Sequence, residues 1–288
     1  MKKNLLLLSF IVIIISIFCN FQAVIFNIKN SIYLFEQKVF PSLFPIMVIS
    51  PFLINYGFLN ISNFFLGPIM RKVFNTSKNS SYIFAMSIIS GFPSSAIYAK
   101  ELYTKNLISK EEIEKLILFS HFANPFFVLT MVSTKPMLVL FSHYMVNFII
   151  GFCNKNCKIA DTYNKEIPIP QKEFFKVLVS SIKNCIETSL FILGIIIFFS
   201  MIIAIFNHPI LNIILELSQG LESLSTYNDN WLKGAITASL LSFGGISVHV
   251  QVMGTLSDIG IKYFPYMKTR LIHALLSFII VFLLWTVW

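Results

Sequence analysis

SIISGFPSSAIYAKEL, residues 87–102, reads beside a second stretch, SLLSFGGISVHVQVMG, residues 239–254. Both start as apolar helix, break at a Gly/Pro cluster and resume. At one common offset Ser87 falls on Ser239, Ser90 on Ser242 and Ser95 on Ser247. Backbone groups left unpaired against lipid cost several kcal/mol each. Two breaks in matching places therefore mark segments that are buried in protein or line a polar cavity.

Lipid is the right solvent for this chain. Its 288 residues are 56% hydrophobic and 12% charged, with 31 Phe and a mean hydropathy of +0.76. A soluble domain of this length needs far more polar surface. The net charge of +9 does not form a basic face with interleaved aromatics, so no nucleic-acid partner is expected. The cations punctuate apolar segments, as they do where charge encodes topology. Cys19 and Cys185 lie in apolar runs and read as small hydrophobes. Cys153 and Cys157 have no second ligand pair beside them and read as free thiols, so no metal site is expected.

The basic start and apolar run of residues 5–26 resemble a secretory signal, but no small-residue cleavage pattern follows, and the segment reads as a retained first helix. A second apolar segment, 32–59, is interrupted at FPSLFP, residues 40–45. Residues 62–74 and 209–224 read as interfacial, and 81–105 is the first broken segment. Ser109 opens a helix with a capping box, Glu112 standing three residues on. That helix is interrupted in turn at HFANPFF, residues 121–127. Residues 136–153 and 174–206 are spans, 232–257 is the second broken segment, and 268–288 is the last span. The expected organisation is an N-terminal transmembrane helix (1–30), a first repeat (31–134), a linking span with a polar connector (135–172) and a second repeat (173–288).

If each broken segment is a re-entrant hairpin, about six full crossings remain and both termini fall inside. The inner side then carries roughly twice as many cations as the outer. In that arrangement Lys262, Lys268 and Arg270 lie outside, and no Arg is fixed within the membrane. The fold class expected is an all-α polytopic membrane protein, an inverted repeat with two broken-helix hairpins and interfacial helices. That is the plan of many secondary transporters.

Gly91 and Pro93 in one tip, Gly244 and Gly245 in the other, free backbone groups, and half-helix N-termini offer N–H donors to a polar or anionic solute. Ser94, Ser95 and Ser247 add hydroxyls. Asn124 either orients a solute or caps the chain beside Pro125. His121 either carries a proton or packs as a hydrogen-bonded ring. His249 and Gln251 point to different helix faces, so one of them is expected to line the site. Lys183 and Glu187 stand four apart in an apolar helix, and Glu187 is the stronger candidate for coupling or gating. HExxH, GxSxG, a P-loop and clustered carboxylates are all missing, so no enzyme is expected. No cofactor is expected either, and the sequence names no coupling ion.

SGFPSSAIYAKELYTKNLISKEEIEKLILFSHFANPFFVL, with SFGGISVHVQVMG and YFPYMKTRLIHALLS, resembles the paired signatures of the YlbJ-type sporulation integral membrane proteins. These contain the nucleoside-recognition, or Gate, domain. The resemblance runs from about residue 35 onward. It implies an inverted-repeat protein distantly similar to concentrative nucleoside transporters, and a role in moving dipicolinic acid across a forespore membrane. It carries over Gly91, Pro93, Asn124, Pro125, Gly244, Gly245, Ser247 and His249.

The expectation is therefore a secondary or facilitated carrier of a small anionic or planar metabolite, dipicolinate first. A nucleoside or nucleobase carrier and a non-transporting assembly protein are the alternatives. Expected partners are the bilayer and the solute, with a homo-oligomer or a partner membrane protein left open. The expected location is a bacterial cytoplasmic or forespore membrane, with cytoplasmic termini.

Overall fold

The computed structural model describes residues 2–155 and 173–288, and every regular element among them is helical. The connector expected at 154–172, with Cys157, lies mostly outside the described residues. Five of the described helices are long and apolar enough to cross a membrane: Phe21–Asn55, Pro136–Cys153, Phe174–Phe206, Trp231–Thr255 and Tyr263–Leu284. The chain is an integral, polytopic membrane protein.

Helix α1 (Lys2–Cys19) leads into α2 (Phe21–Leu34) and α3 (Phe40–Asn55), joined by a π turn at Phe35–Val39. The interruption expected at residues 40–45 is absent there: those residues are helical, and the irregularity is the π turn just before them. Pro41 has no N–H to give the preceding turn, and Phe40 N–H reaches back five residues to Phe35 O. The helix absorbs its prolines and runs on. Short helices α4 (Phe58–Phe65) and α5 (Gly67–Val73) follow.

Helices α6 (Ser80–Ser90) and α7 (Ser94–Thr104) fold back on each other. Tyr82 and Tyr98 have ring centroids 5.5 Å apart, whereas one continuous helix would separate them by about 24 Å. Asn79 Nδ2 donates to Leu107 O at 3.0 Å, closing the open end of this hairpin. Helix α8 (Lys110–Phe119) starts where Ser109 Oγ accepts from Glu112 N at 3.2 Å. The Glu112 side chain does not return the bond; its Oε1 accepts from Ser77 N at 2.8 Å. After a break at residues 120–124 come α9 (Pro125–Met131) and α10 (Pro136–Cys153).

The second half opens with α11 (Phe174–Phe206), antiparallel to α2 and α3. Next come α12 (Pro209–Leu215) and α13 (Leu217–Ser225), which the sequence suggested were interfacial. They form a second hairpin: Asn212 Nδ2 donates to Ser223 Oγ at 3.2 Å, a pair that a continuous helix would hold about 16 Å apart. Helix α14 (Trp231–Phe243) and helix α15 (Gly245–Thr255) precede α16 (Tyr263–Leu284).

The hairpin expected at residues 232–257 is not one. At its start Lys233 Nζ donates to Tyr227 O at 2.7 Å, and Gly234 packs on Trp285 at the far end of α16. Midway Ser242 Oγ donates to Ser277 Oγ at 2.8 Å, and at its end Asp258 pairs with Lys100 at 2.7 Å. So α14 and α15 pass through together as one broken crossing. The physical reason lies in the break itself. Gly244 (φ +86°) and Gly245 (φ +67°) redirect the chain without a long enough turn to reverse it.

This moves the C-terminal loops. Lys115 Nζ reaches Asn75 O and Lys155 O at 3.1 and 3.3 Å, and Gly260 lies against Lys110. One face thus carries the cations from Arg71 to Lys115 together with Lys155 and Lys262. The opposite face carries Lys135, whose Nζ donates to Trp285 O at 2.7 Å, and Lys233. Lys262 is therefore not on the face of Lys135, and Trp288 does not end on the cation-rich face as expected. Serine pairing at one offset misled: the segments with like shape are α6–α7 with α12–α13, and α8–α9 with α14–α15.

Candidate functional site: a crevice between two hairpin tips

Each hairpin tip rests on a broken crossing helix. Gly91, at φ +74°, lies so close to Asn124 that an added Cβ would collide with its backbone N and sit 2.9 Å from its Cβ. Phe92 N donates to Phe122 O at 2.8 Å, pairing one of the carbonyls that the α8–α9 break exposes. In the second half, a Cβ on Gly245 would sit 3.1 Å from Leu217 N and 3.4 Å from Leu215 O, on either side of Glu216. Ser247 Oγ donates to Glu216 Oε1 at 3.5 Å, and Gln219 N donates to Glu216 Oε2 at 2.8 Å.

Between the tips lies a cavity of about 30 Å³, lined by Phe92, Asn124 and Phe127 from one half and by Glu216, Ser218, Val248 and Gln251 from the other. Val39 and Leu43 of the α2–α3 helix, with Ile192 and Ile196 of α11, form its outer wall. Larger cavities lie on both sides along α2–α3. One, of about 410 Å³, involves Asn55, Ser94, Glu101, Lys105, Ser180 and Asn184, towards the cation-rich face. The other, of about 420 Å³, involves Asn30, Gln37, Lys38, Gln219 and Glu222, towards the opposite face. Gln219 Nε2 donates to Ser31 Oγ at 2.6 Å there.

Of the residues expected in the site, Asn124 and Gln251 line the central cavity. Asn124 is also a helix cap: its Oδ1 accepts from Phe126 N at 2.7 Å and Phe127 N at 3.3 Å. Gly91, Gly244, Gly245 and Ser247 build the junctions rather than the lining, and Pro93 sits at the N-cap of α7. Ser94 faces the larger cavity, and Ser95 is buried. Of the pair His249 and Gln251, the histidine turns away. Its Nε2–H donates to Phe243 O at 2.9 Å, capping the carbonyl freed by the break, and its Nδ1 accepts from Tyr263 at 3.0 Å. His121 stacks on Phe92 with centroids 4.7 Å apart, and its Nδ1 lies 3.2 Å from Tyr266 Oη. Glu187 is on the exposed side of α11, away from the cavity.

Three features escaped the sequence reading. Glu216, only 2% exposed, stands in an apolar run that looked interfacial; a lone carboxylate between Leu215 and Leu217 was the available signal. Arg270, expected outside, is wholly buried. Its guanidinium donates to Leu118 O and to His273 Nδ1 at 2.9 Å. His143 and His273, which the sequence reading passed over, join them. His273 Nε2 donates to His143 O at 2.9 Å; His143 Nε2 accepts from Ala123 N at 3.0 Å, and its Nδ1 donates to Ser242 at 2.9 Å. Each partner fixes a tautomer, so these rings are held neutral and serve as struts across the breaks.

Residues 37–141 match the family model described as Gate, nucleoside recognition. The chain is 26% identical to the sporulation integral membrane protein YlbJ of Bacillus subtilis (strain 168), across 99% of its own length and 83% of that protein's. No solved structure matches it. The chain is an integral membrane protein whose residues 37–141 are similar to the Gate, nucleoside-recognition, family, and it resembles a sporulation membrane protein over nearly its whole length.

Proposed function

We propose that this protein is a secondary or facilitated carrier of a small planar polar solute, dipicolinate first, that it performs no chemistry on the solute, and that it works in a bacterial cytoplasmic or forespore membrane. The observation that supports this most is the row of three cavities along α2–α3. Two are open enough for a small metabolite, and the middle one has room for about one water. Such a row is what a carrier needs in a closed intermediate, with solute admitted when a tip withdraws from its broken helix.

In this reading the two halves are inverted repeats. The α6–α7 hairpin enters from the cation-rich face and the α12–α13 hairpin from the other, each re-entrant. The cation-rich face is cytoplasmic by the positive-inside rule, which places the C-terminus of α16 on the other side. Broken helices at membrane depth are tolerated because they face the crevice. Phe92 and Phe127 suit a flat ring, and the amides of Asn124 and Gln251 suit its polar edge. The same four groups favour a second reading, a nucleoside or nucleobase carrier.

The test is uptake of labelled dipicolinate into proteoliposomes holding the full chain, with a nucleoside and a simple dicarboxylate as competitors. Saturable uptake, weakened in Gln251→Ala, is the expected result. Stronger competition by the nucleoside transfers the assignment to the second reading. Folded protein that moves none of the three sinks both and leaves a role in envelope or spore assembly.

A further inference from the structure

We propose that Glu216 is the proton-binding residue of the central cavity and that a proton travels with the anionic solute; this rests on the carrier reading above. The carboxyl stands at the tip of the second hairpin, 2% exposed, and lines the cavity. Its oxygens accept from Gln219 N at 2.8 Å and from Ser247 Oγ at 3.5 Å, and the Ser218 N–H and hydroxyl also turn to it; all of these donors are neutral. No cation among the described residues pairs with it. Burying an unpaired carboxylate costs several kcal/mol, and bringing an anion beside it costs more. One proton removes both penalties and turns an oxygen into a donor for a solute carboxylate.

The surroundings offer no rival for that proton. Lys38 of the π turn is taken by Glu222 at 2.5 Å. Helix α9 has no titratable side chain, and Lys183 and Glu187 of α11 are on its exposed side. Lys233 of α14 pairs with Asp229 at the opposite face. On α15, His249 turns away from the cavity, its ring nitrogens bonded to Phe243 O and Tyr263. On α7, Lys100 and Glu101 stand at the cation-rich face, paired with Asp258 and Lys105. His121 lies on the far side of Phe92 from the cavity, against Gly244.

The cycle is balanced without any further reactant. A proton from water on the entry side forms an O–H bond on Glu216 as the solute seats. The bond breaks to water on the exit side when the solute leaves. The tip itself is the moving part, so protonation and opening share one residue.

The test uses the full chain in proteoliposomes, wild type against Glu216→Gln. With a one-unit acidic exterior, wild type should accumulate dipicolinate about tenfold, the limit for one coupled proton. Glu216→Gln should show no response to the gradient, its counterflow, slowed by the altered lining, being the same with and without it. Accumulation in Glu216→Gln under the gradient, indifference of the wild type to it, or drive by a sodium gradient instead would each overturn the proposal. Failure of wild-type counterflow would sink the carrier reading itself. An infrared comparison of acidic and neutral buffers then decides Glu216 alone: a protonated-carboxyl band in wild type that Glu216→Gln removes supports it, and no such band overturns it.

Discussion

The two junctions between hairpin tip and broken helix do the same job by different means. In the first half Gly91 is pressed onto the backbone of Asn124, and the contact is steric and uncharged. In the second half Gly245 stands off Leu217 N by a Cβ's 3.1 Å, and the gap is filled by Glu216 with Ser247. The first junction is a weld, since backbone packed on backbone has nothing to rearrange. The second is held in part by a buried carboxylate, Glu216, bonded to Ser247. On the carrier proposal above, the second hairpin is the one expected to move first.

Substitutions can break this contrast. The largest effect is expected from Gly91→Ala, which combines a backbone collision with a left-handed φ; a loss of about 3 kcal/mol or more should appear as failure to purify folded protein or as a collapsed melting temperature in detergent. Gly245→Ala meets a looser contact, and its strain of about 1–2 kcal/mol should leave a folded protein with slowed uptake. Equal losses at the two glycines would erase the distinction between the two junctions.

A smaller effect sharpens the first junction. Asn124→Ala removes the cap on two N–H groups of α9 and should cost about 1 kcal/mol, while Asn124→Asp keeps the cap. Thermal unfolding of both variants separates capping from lining, because uptake should fall in both. The smallest effect concerns the tie between the halves at the cation-rich face. Lys100 holds the Asp258 carboxyl below its usual range, chiefly through their hydrogen bond. The folded form thus binds the proton less tightly than the unfolded one. The pair's small stabilisation is present above the ordinary aspartate range and fades as pH falls through the lowered value. Asp258→Asn should remove that slope and leave the neutral-pH melting temperature almost unchanged.

Much of the architecture was legible in the chain. Apolar length gave the spans at Pro136–Cys153, Phe174–Phe206 and Tyr263–Leu284, Gly91–Pro93 gave the first hairpin, Ser109 gave a helix start, and Asn124–Pro125 gave a break. What misled was similarity of letters. The α6–α7 and α14–α15 segments share serines and a glycine-rich interruption, yet one reverses and the other continues. The residues that decide this are distant in sequence: Tyr82 with Tyr98, and Lys100 with Asp258. The second hairpin was hidden because seven-residue α12 and nine-residue α13 are too short to read as membrane elements. Arg270 looked like a loop cation because its acceptor, the Leu118 carbonyl, belongs to another helix. Backbone partners leave no pattern in a sequence.

The outer wall of the crevice has a mechanical consequence. Helix α11 has 33 residues, and the α2–α3 segment beside it has 35. At 1.5 Å per residue both exceed about 45 Å, against a hydrocarbon thickness of about 30 Å. They fit only by leaning steeply or by standing proud of the bilayer. Since these two helices together wall the central cavity and the one towards the cation-rich face, any change in their lean changes the width of both. Bilayer thickness thereby becomes a setting on the protein.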